Sequence, residues 1–253
     1  MAWEITMIKK DFQQYAAQTW WGDLYIKPLS EVSKPSPKKS PLIDRPEKVY
    51  CFDSICEAIY PKNKPTSADG LFFCNNAAYF VEFKTGFKKK ITRDNYDEDQ
   101  AQCPKYKHFC KDYRDLFFKN QDKETEELKN SIKFKAIESY ITLEKEILPL
   151  CEDSRKSKII FVVVIDEDGI DDYEASLTEL SENHAPLETV ENNYINSLKD
   201  SLEGYKNKKD KHCPPNDYFY DKIEVFSARE FEMFFDGLLP DMIKPSNTDP
   251  QTV

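Results

Sequence analysis

The chain has 253 residues, 40% hydrophobic and 13% aromatic, with 17 Phe, 14 Tyr and only 6 Gly. That is enough apolar material for a sizeable core, and it excludes a disordered chain. The net charge of −10 excludes a basic nucleic-acid coat protein, though not an enzyme with a locally basic site. The opening MAWEITMIKK holds no apolar signal core, and no run approaches the roughly 18 apolar residues of a membrane span. The seven cysteines are odd in number and form no Cys-x-x-Cys. Together these features read as a reduced, cytoplasmic protein with no membrane partner.

In chain order, Ile5, Ile8, Phe12, Tyr15 and Ala16 have helical spacing. Residues 28–46 carry five prolines among Ser and Lys and read as a loop. Residues 47–60 place Val49, Phe52, Cys56 and Ile59 at helical spacing, and Pro61 stops that helix. Asp53 and Glu57, four apart, share a face of it.

The stretch SADGLFFCNNAAYFVEFKTG, residues 67–86, carries the chemistry. Two aromatic-rich runs flank Asn75-Asn76, a good turn dipeptide, so an antiparallel hairpin is predicted. A turn centred there pairs Cys74 with Ala77, Phe72 with Tyr79 and Asp69 with Glu82. Opposed Cβ atoms in such a ladder lie about 4.5–5.5 Å apart, so two carboxylates meet. Alternation puts Phe80, Glu82 and Lys84 on one face and Tyr79, Val81 and Phe83 on the other. Opposed carboxylates repel unless a cation lies between them. Mg²⁺ or Mn²⁺ fits, because a hard ion takes oxygen ligands and needs only one or two protein carboxylates. Lys84 adds an ammonium able to orient a water or stabilise a developing phosphate charge.

Beyond the hairpin, the run from Lys84 to Arg93 is locally basic. Its Lys88, Lys89, Lys90 and Arg93 are placed to hold a phosphate backbone. Residues 122–148 read as one long amphipathic helix through Leu128, Ile132, Ala136, Tyr140 and Ile147. Residues 158–165 form a continuous apolar run, the mark of a strand buried on both faces. A helix over 187–205 follows, then a strand from Tyr220 to Phe226. Ser227 and Glu230 form a capping box for a last helix bearing Phe231, Phe234, Phe235 and Leu238. This order predicts an α/β fold, three-layer α/β/α around a central mixed sheet.

Asp69, then Glu82-Phe83-Lys84 after a hairpin, resembles the PD-(D/E)xK nucleases, the restriction endonuclease-like and RecB-like superfamily; Ala68 stands where the motif's proline would be. The resemblance implies a restriction endonuclease-like core and a Mg²⁺- or Mn²⁺-dependent nuclease hydrolysing DNA or RNA, DNA being the favoured partner, with a larger defence or repair assembly left open. It implies that Asp69 and Glu82 ligate metal, that Lys84 is catalytic, and that an acid on the preceding helix, Glu57 or alternatively Asp53, completes the site. Gln102 and Tyr106 fit the Gln-x-x-x-Tyr pattern that follows the catalytic hairpin in RecB-like nucleases, and so join the expected nucleic-acid contacts. The predicted organisation is an N-terminal helix and Pro-rich loop over 1–46, a nuclease-like domain over 47–240 with a helical insertion at about 113–150, and a disordered tail over 241–253. The alternative is a non-catalytic module of the same fold that binds nucleic acid or protein.

Overall fold

The computed structural model describes residues 25–36, 39–75, 77–86, 106–150, 158–166, 188–205 and 219–242. Six strands form one open sheet in the order β1-β2-β3-β4-β5-β6. They are β1 (Ile26–Pro28), β2 (Lys48–Cys51), β3 (Gly70–Cys74), β4 (Ala77–Lys84), β5 (Lys158–Ile165) and β6 (Lys222–Ser227). The first four run antiparallel to their neighbours, whereas β4–β5 and β5–β6 are parallel. The sheet is therefore mixed, as the alternation of apolar runs and amphipathic helices predicts.

Helices cover both faces. The helices are α1 (Leu29–Val32), α2 (Phe52–Ile59), α3 (Tyr106–Thr142), α4 (Glu188–Leu202) and α5 (Ala228–Leu238). On one face, Phe80, Phe161 and Val163 of the sheet pack with Phe52 of α2, Ile132 and Ala136 of α3, and Ile195, Leu198 and Leu202 of α4. On the other, Phe72, Tyr79, Val81, Phe83, Val162 and Val164 pack with Leu29 of α1 and with Phe231 and Phe235 of α5. The alternation predicted for β4 is thus observed, Phe80 inward to one layer and Phe83 to the other. Strand β5 is buried from Ile159 to Ile165, which its unbroken apolar run requires.

Three local expectations are corrected. Residues 48–51 are strand rather than the first turn of a helix, because Val49, Tyr50 and Cys51 pair with β1 and β3; α2 starts only at Phe52. The proline-rich stretch is not all loop. Pro28 closes the edge strand β1, where a missing N–H costs no ladder bond, and one turn of helix follows. Ser33 then holds the returning chain, its hydroxyl donating to the Ile43 carbonyl at 3.0 Å and accepting from the Ile43 N–H at 3.1 Å. The long helix begins at Tyr106, earlier than its apolar spacing indicates. It changes at Leu143 to a π-helical turn and then a short 3₁₀ turn, Leu148–Leu150. The capping box at Ser227 and Glu230 forms as read. The N-terminal helix expected before residue 25 and the tail beyond residue 242 lie outside the described residues.

Because Phe161 is fully buried in the second central strand, Phe161→Ala should cost about 3–5 kcal/mol in urea unfolding. Met233→Ala, at a side chain 69% exposed on α5, should change stability by less than about 0.5 kcal/mol. Equal effects would contradict the assignment of β5 to the buried interior of the sheet.

Candidate functional site

The site forms where β4 ends. The hairpin register is the predicted one: Gly70 pairs with Val81, Phe72 with Tyr79 and Cys74 with Ala77. Asn75 takes the left-handed conformation, with φ 48°, that an Asn tolerates in a tight turn. One step beyond the last pair, the Asp69 N–H donates to the Val81 carbonyl at 3.0 Å. The Asp69 carboxylate folds back over the ladder, and its Oδ2 accepts from the Phe83 N–H at 2.8 Å. Its other oxygen, Oδ1, accepts from the Lys135 ammonium.

Glu82 has no solvent exposure. Strand alternation turns it to the face covered by α3, beside Val163 of β5. A buried carboxylate needs a counter-charge, and α3 delivers one. The Lys135 ammonium donates to Glu82 Oε2 at 2.7 Å and to Asp69 Oδ1 at 3.0 Å. Lys135 and Asp69 are each 23% exposed at the side chain, so the cluster has one buried member and two at its mouth. The second oxygen of Glu82, Oε1, is buried and accepts no hydrogen bond from the described residues.

Lys135 reaches the carboxylates because one turn of α3 is tied to the segment that enters β3. The Glu138 carboxylate accepts from the Thr66 hydroxyl at 2.6 Å and also from the Thr66 N–H. Ser139 Oγ accepts from the Ala68 N–H at 2.7 Å. On the far side, the buried Tyr220 hydroxyl donates to the Ala136 carbonyl at 2.7 Å. Ile132, Ala136 and Leu143 turn the helix's apolar stripe onto the sheet, and Lys135 lies along the edge of that stripe.

Burial pushes the Glu82 carboxyl well above its ordinary 4.5, and the Asp69 charge pushes it further; Lys135 and Lys84 pull the other way. Burial alone would lower the Lys135 ammonium, but the two carboxylates raise it, so it stays charged. One cation faces two carboxylates, and the cluster carries a net negative charge at neutral pH if Glu82 is ionised.

Lys84 is two residues beyond Glu82 on the same face, roughly 7 Å further along the strand, and half-buried. Its carbonyl accepts from the Asp166 N–H at 3.1 Å. Asp166 Oδ2 then accepts from the Gly86 N–H at 2.7 Å. Gly86 has φ +101°, a conformation that favours glycine. These bonds fix the chain as it leaves β4.

The structure brings Asp69, Glu82 and Lys84 to one strand end. It does not bring Glu57 to them. Glu57 is on the exposed flank of α2, whose inward face is Phe52, Ile55 and Cys56, and among the described residues no group of three or more His, Cys, Asp or Glu side chains is placed to share a metal. Asp53 on that helix is engaged elsewhere, with Lys64 at 2.6 Å and the Ser67 hydroxyl at 2.8 Å. Glu82 is removed from solvent, and Lys135 of α3 meets its carboxylate there. Lys88, Lys89, Lys90, Arg93 and Gln102 lie outside the described residues, and Tyr106 is described only as the first residue of α3. Sequence reasoning missed Lys135. It is one of several lysines along this helix, and its spacing does not set it apart.

The raised Glu82 pKa sets a pH dependence. A carboxyl protonated more readily in the folded state gives stability that is full below its unfolded pKa and lost as pH rises through the folded one. Wild-type thermal stability should therefore fall as pH rises above Glu82's ordinary 4.5 in metal-free buffer, and Glu82→Gln should flatten that slope. A slope unchanged in the variant would show that Glu82 is not the group responsible. The chain matches no protein-family model, no curated protein and no solved structure.

Proposed function

We propose that the protein is a divalent-metal-dependent nuclease with a restriction endonuclease-like core, hydrolysing phosphodiester bonds of DNA or RNA. The observation that carries this reading is the carboxylate pair of buried Glu82 and partly exposed Asp69, on a hairpin whose next inward residue is Lys84. A two-carboxylate set suits Mg²⁺ or Mn²⁺, which keep several waters when bound to proteins. The free Oε1 of Glu82 is an unused ligand atom inside the cluster. Asp69 and Glu82 are the residues that would hold the ion, and a bound ion would supply Lewis acidity and a more acidic water.

The remaining roles belong to the chain. Asp69 is oriented by the Phe83 N–H, so its position does not depend on rotamer chance. Lys84, held on the same face by the Asp166 and Gly86 bonds, orients the attacking water or neutralises charge that develops on the phosphate. Strand ends are suitable for this work. In open α/β sheets ligands bind outside the carboxyl ends of parallel strands, and β4 and β5 end together here. Among the described residues no helix is long and apolar enough to cross a membrane.

One observation favours the non-catalytic reading. Lys135 already gives the pair a counter-charge, as it would in a binding module that takes no metal. Cleavage separates the two. With Mg²⁺ or Mn²⁺, the parent should cut a mixed set of DNA and RNA substrates and lose activity in EDTA. Asp69→Ala should abolish cleavage. Lys84→Ala should leave metal binding intact while lowering the rate at least about 100-fold. A parent that cuts nothing, and whose melting temperature ignores divalent metal, would establish the binding-module reading instead.

A further inference from the structure

We infer that Lys135 is an internal counter-ion that a divalent cation must displace, so that the long helix α3 sets the metal affinity of the site. This rests on the metal-binding reading of Asp69 and Glu82 and adds its regulation.

Three observations meet here. First, the ammonium lies between the two carboxylates, 2.7 Å from one and 3.0 Å from the other, which is where a shared cation belongs. Second, Glu82 cannot turn to solvent for relief, because it is fully buried, and its Oε1 has no hydrogen-bond donor among the described residues. Lys135 reaches one oxygen of each carboxylate and the Phe83 N–H takes Asp69 Oδ2, which leaves Oε1 of Glu82 without a donor among the described residues. A divalent ion with its waters can engage that oxygen as well. Third, Lys135 is at the mouth and partly exposed, so it has a way out that Glu82 lacks.

Ammonium and metal cannot share the site. Two positive species a few ångströms apart repel strongly in a partly buried setting, and the two carboxylates cannot balance a total charge of +3. Binding is therefore an exchange: the ion enters as Lys135 withdraws along its four-carbon stem toward solvent. Lys84 remains, since it is on the strand rather than the helix and forms no ion pair with a described residue. The metal-free state is held together by Lys135, and metal affinity is lowered by the cost of displacing it. By linkage, anything that moves α3 alters metal affinity, and metal in turn loosens that turn of α3.

The test is Mn²⁺ binding by calorimetry to the full chain, with Lys135→Met as the variant. The substitution keeps an unbranched stem and removes the charge. Wild type should bind Mn²⁺ weakly, and Lys135→Met at least about tenfold more tightly, within the usual span of coupling between two linked ligands. Equal affinities would overturn the inference and leave the metal site standing. No Mn²⁺ binding by either protein would overturn the metal site itself, and the inference with it. Should Lys135→Met fail to fold, wild type still decides. The rate at which an amine-acylating reagent labels Lys135, read by peptide mass spectrometry, should rise on adding Mn²⁺. An unchanged labelling rate at a Mn²⁺ concentration that raises the melting temperature would show that the ion binds without moving Lys135.

Discussion

A carboxylate with no access to water has to be neutralised where it stands, and Glu82 imposes that requirement on much of this molecule. Removing an ion from water costs several kcal/mol even after relaxation. The compensating ammonium has to come from an element that can reach the end of β4, and α3 is that element. Its approach is fixed by short bonds to Thr66, Ala68 and Tyr220. The same helix turn that carries Glu138 and Ser139 to the entry of β3 carries Lys135 to the carboxylates. Packing of the helix and neutralisation of the site are one arrangement.

The sheet explains why the cluster is at this position. Two central strands, β4 and β5, run parallel and end side by side. Asp69 arrives from the antiparallel neighbour just before β3 begins, so one end of the sheet gathers the pair. Aromatic contacts on both faces hold the hairpin that presents them. Phe80 meets Phe52 edge-on on the α3 side, with ring centroids 4.8 Å apart, and Phe83 meets Phe231 on the other, at 5.8 Å. A hairpin clamped from both sides has little freedom to relieve carboxylate repulsion by moving apart. The repulsion therefore has to be met by a cation, whether the one the helix provides or one from solution.

The hairpin was legible because its information is local. A turn dipeptide and a period of two give its register and tell Phe80 and Glu82 from Phe83 without any tertiary knowledge. The buried run of β5 and the Ser227 capping box were legible for the same reason. Lys135 was not, since it is 53 residues from Glu82 in sequence and 66 from Asp69, and no local pattern reports a contact of that range. Residues 48–51 were misread because Val49 and Phe52 fit a helical spacing, while their strand partners lie at Ile26–Pro28 and Gly70–Leu71. Glu57 satisfied a pattern of spacing on its helix, but the side that α2 buries is set by Phe52, Ile55 and Cys56, and this leaves Glu57 outward.

The most direct test of the central claim is a crystal structure of the chain grown in Mn²⁺, with the ion located by its anomalous scattering. The account predicts a peak between Asp69 and Glu82, with Oε1 of Glu82 among the ligands and the Lys135 ammonium withdrawn. A structure at saturating Mn²⁺ with no peak there, and Lys135 still bonded to both carboxylates, would contradict it.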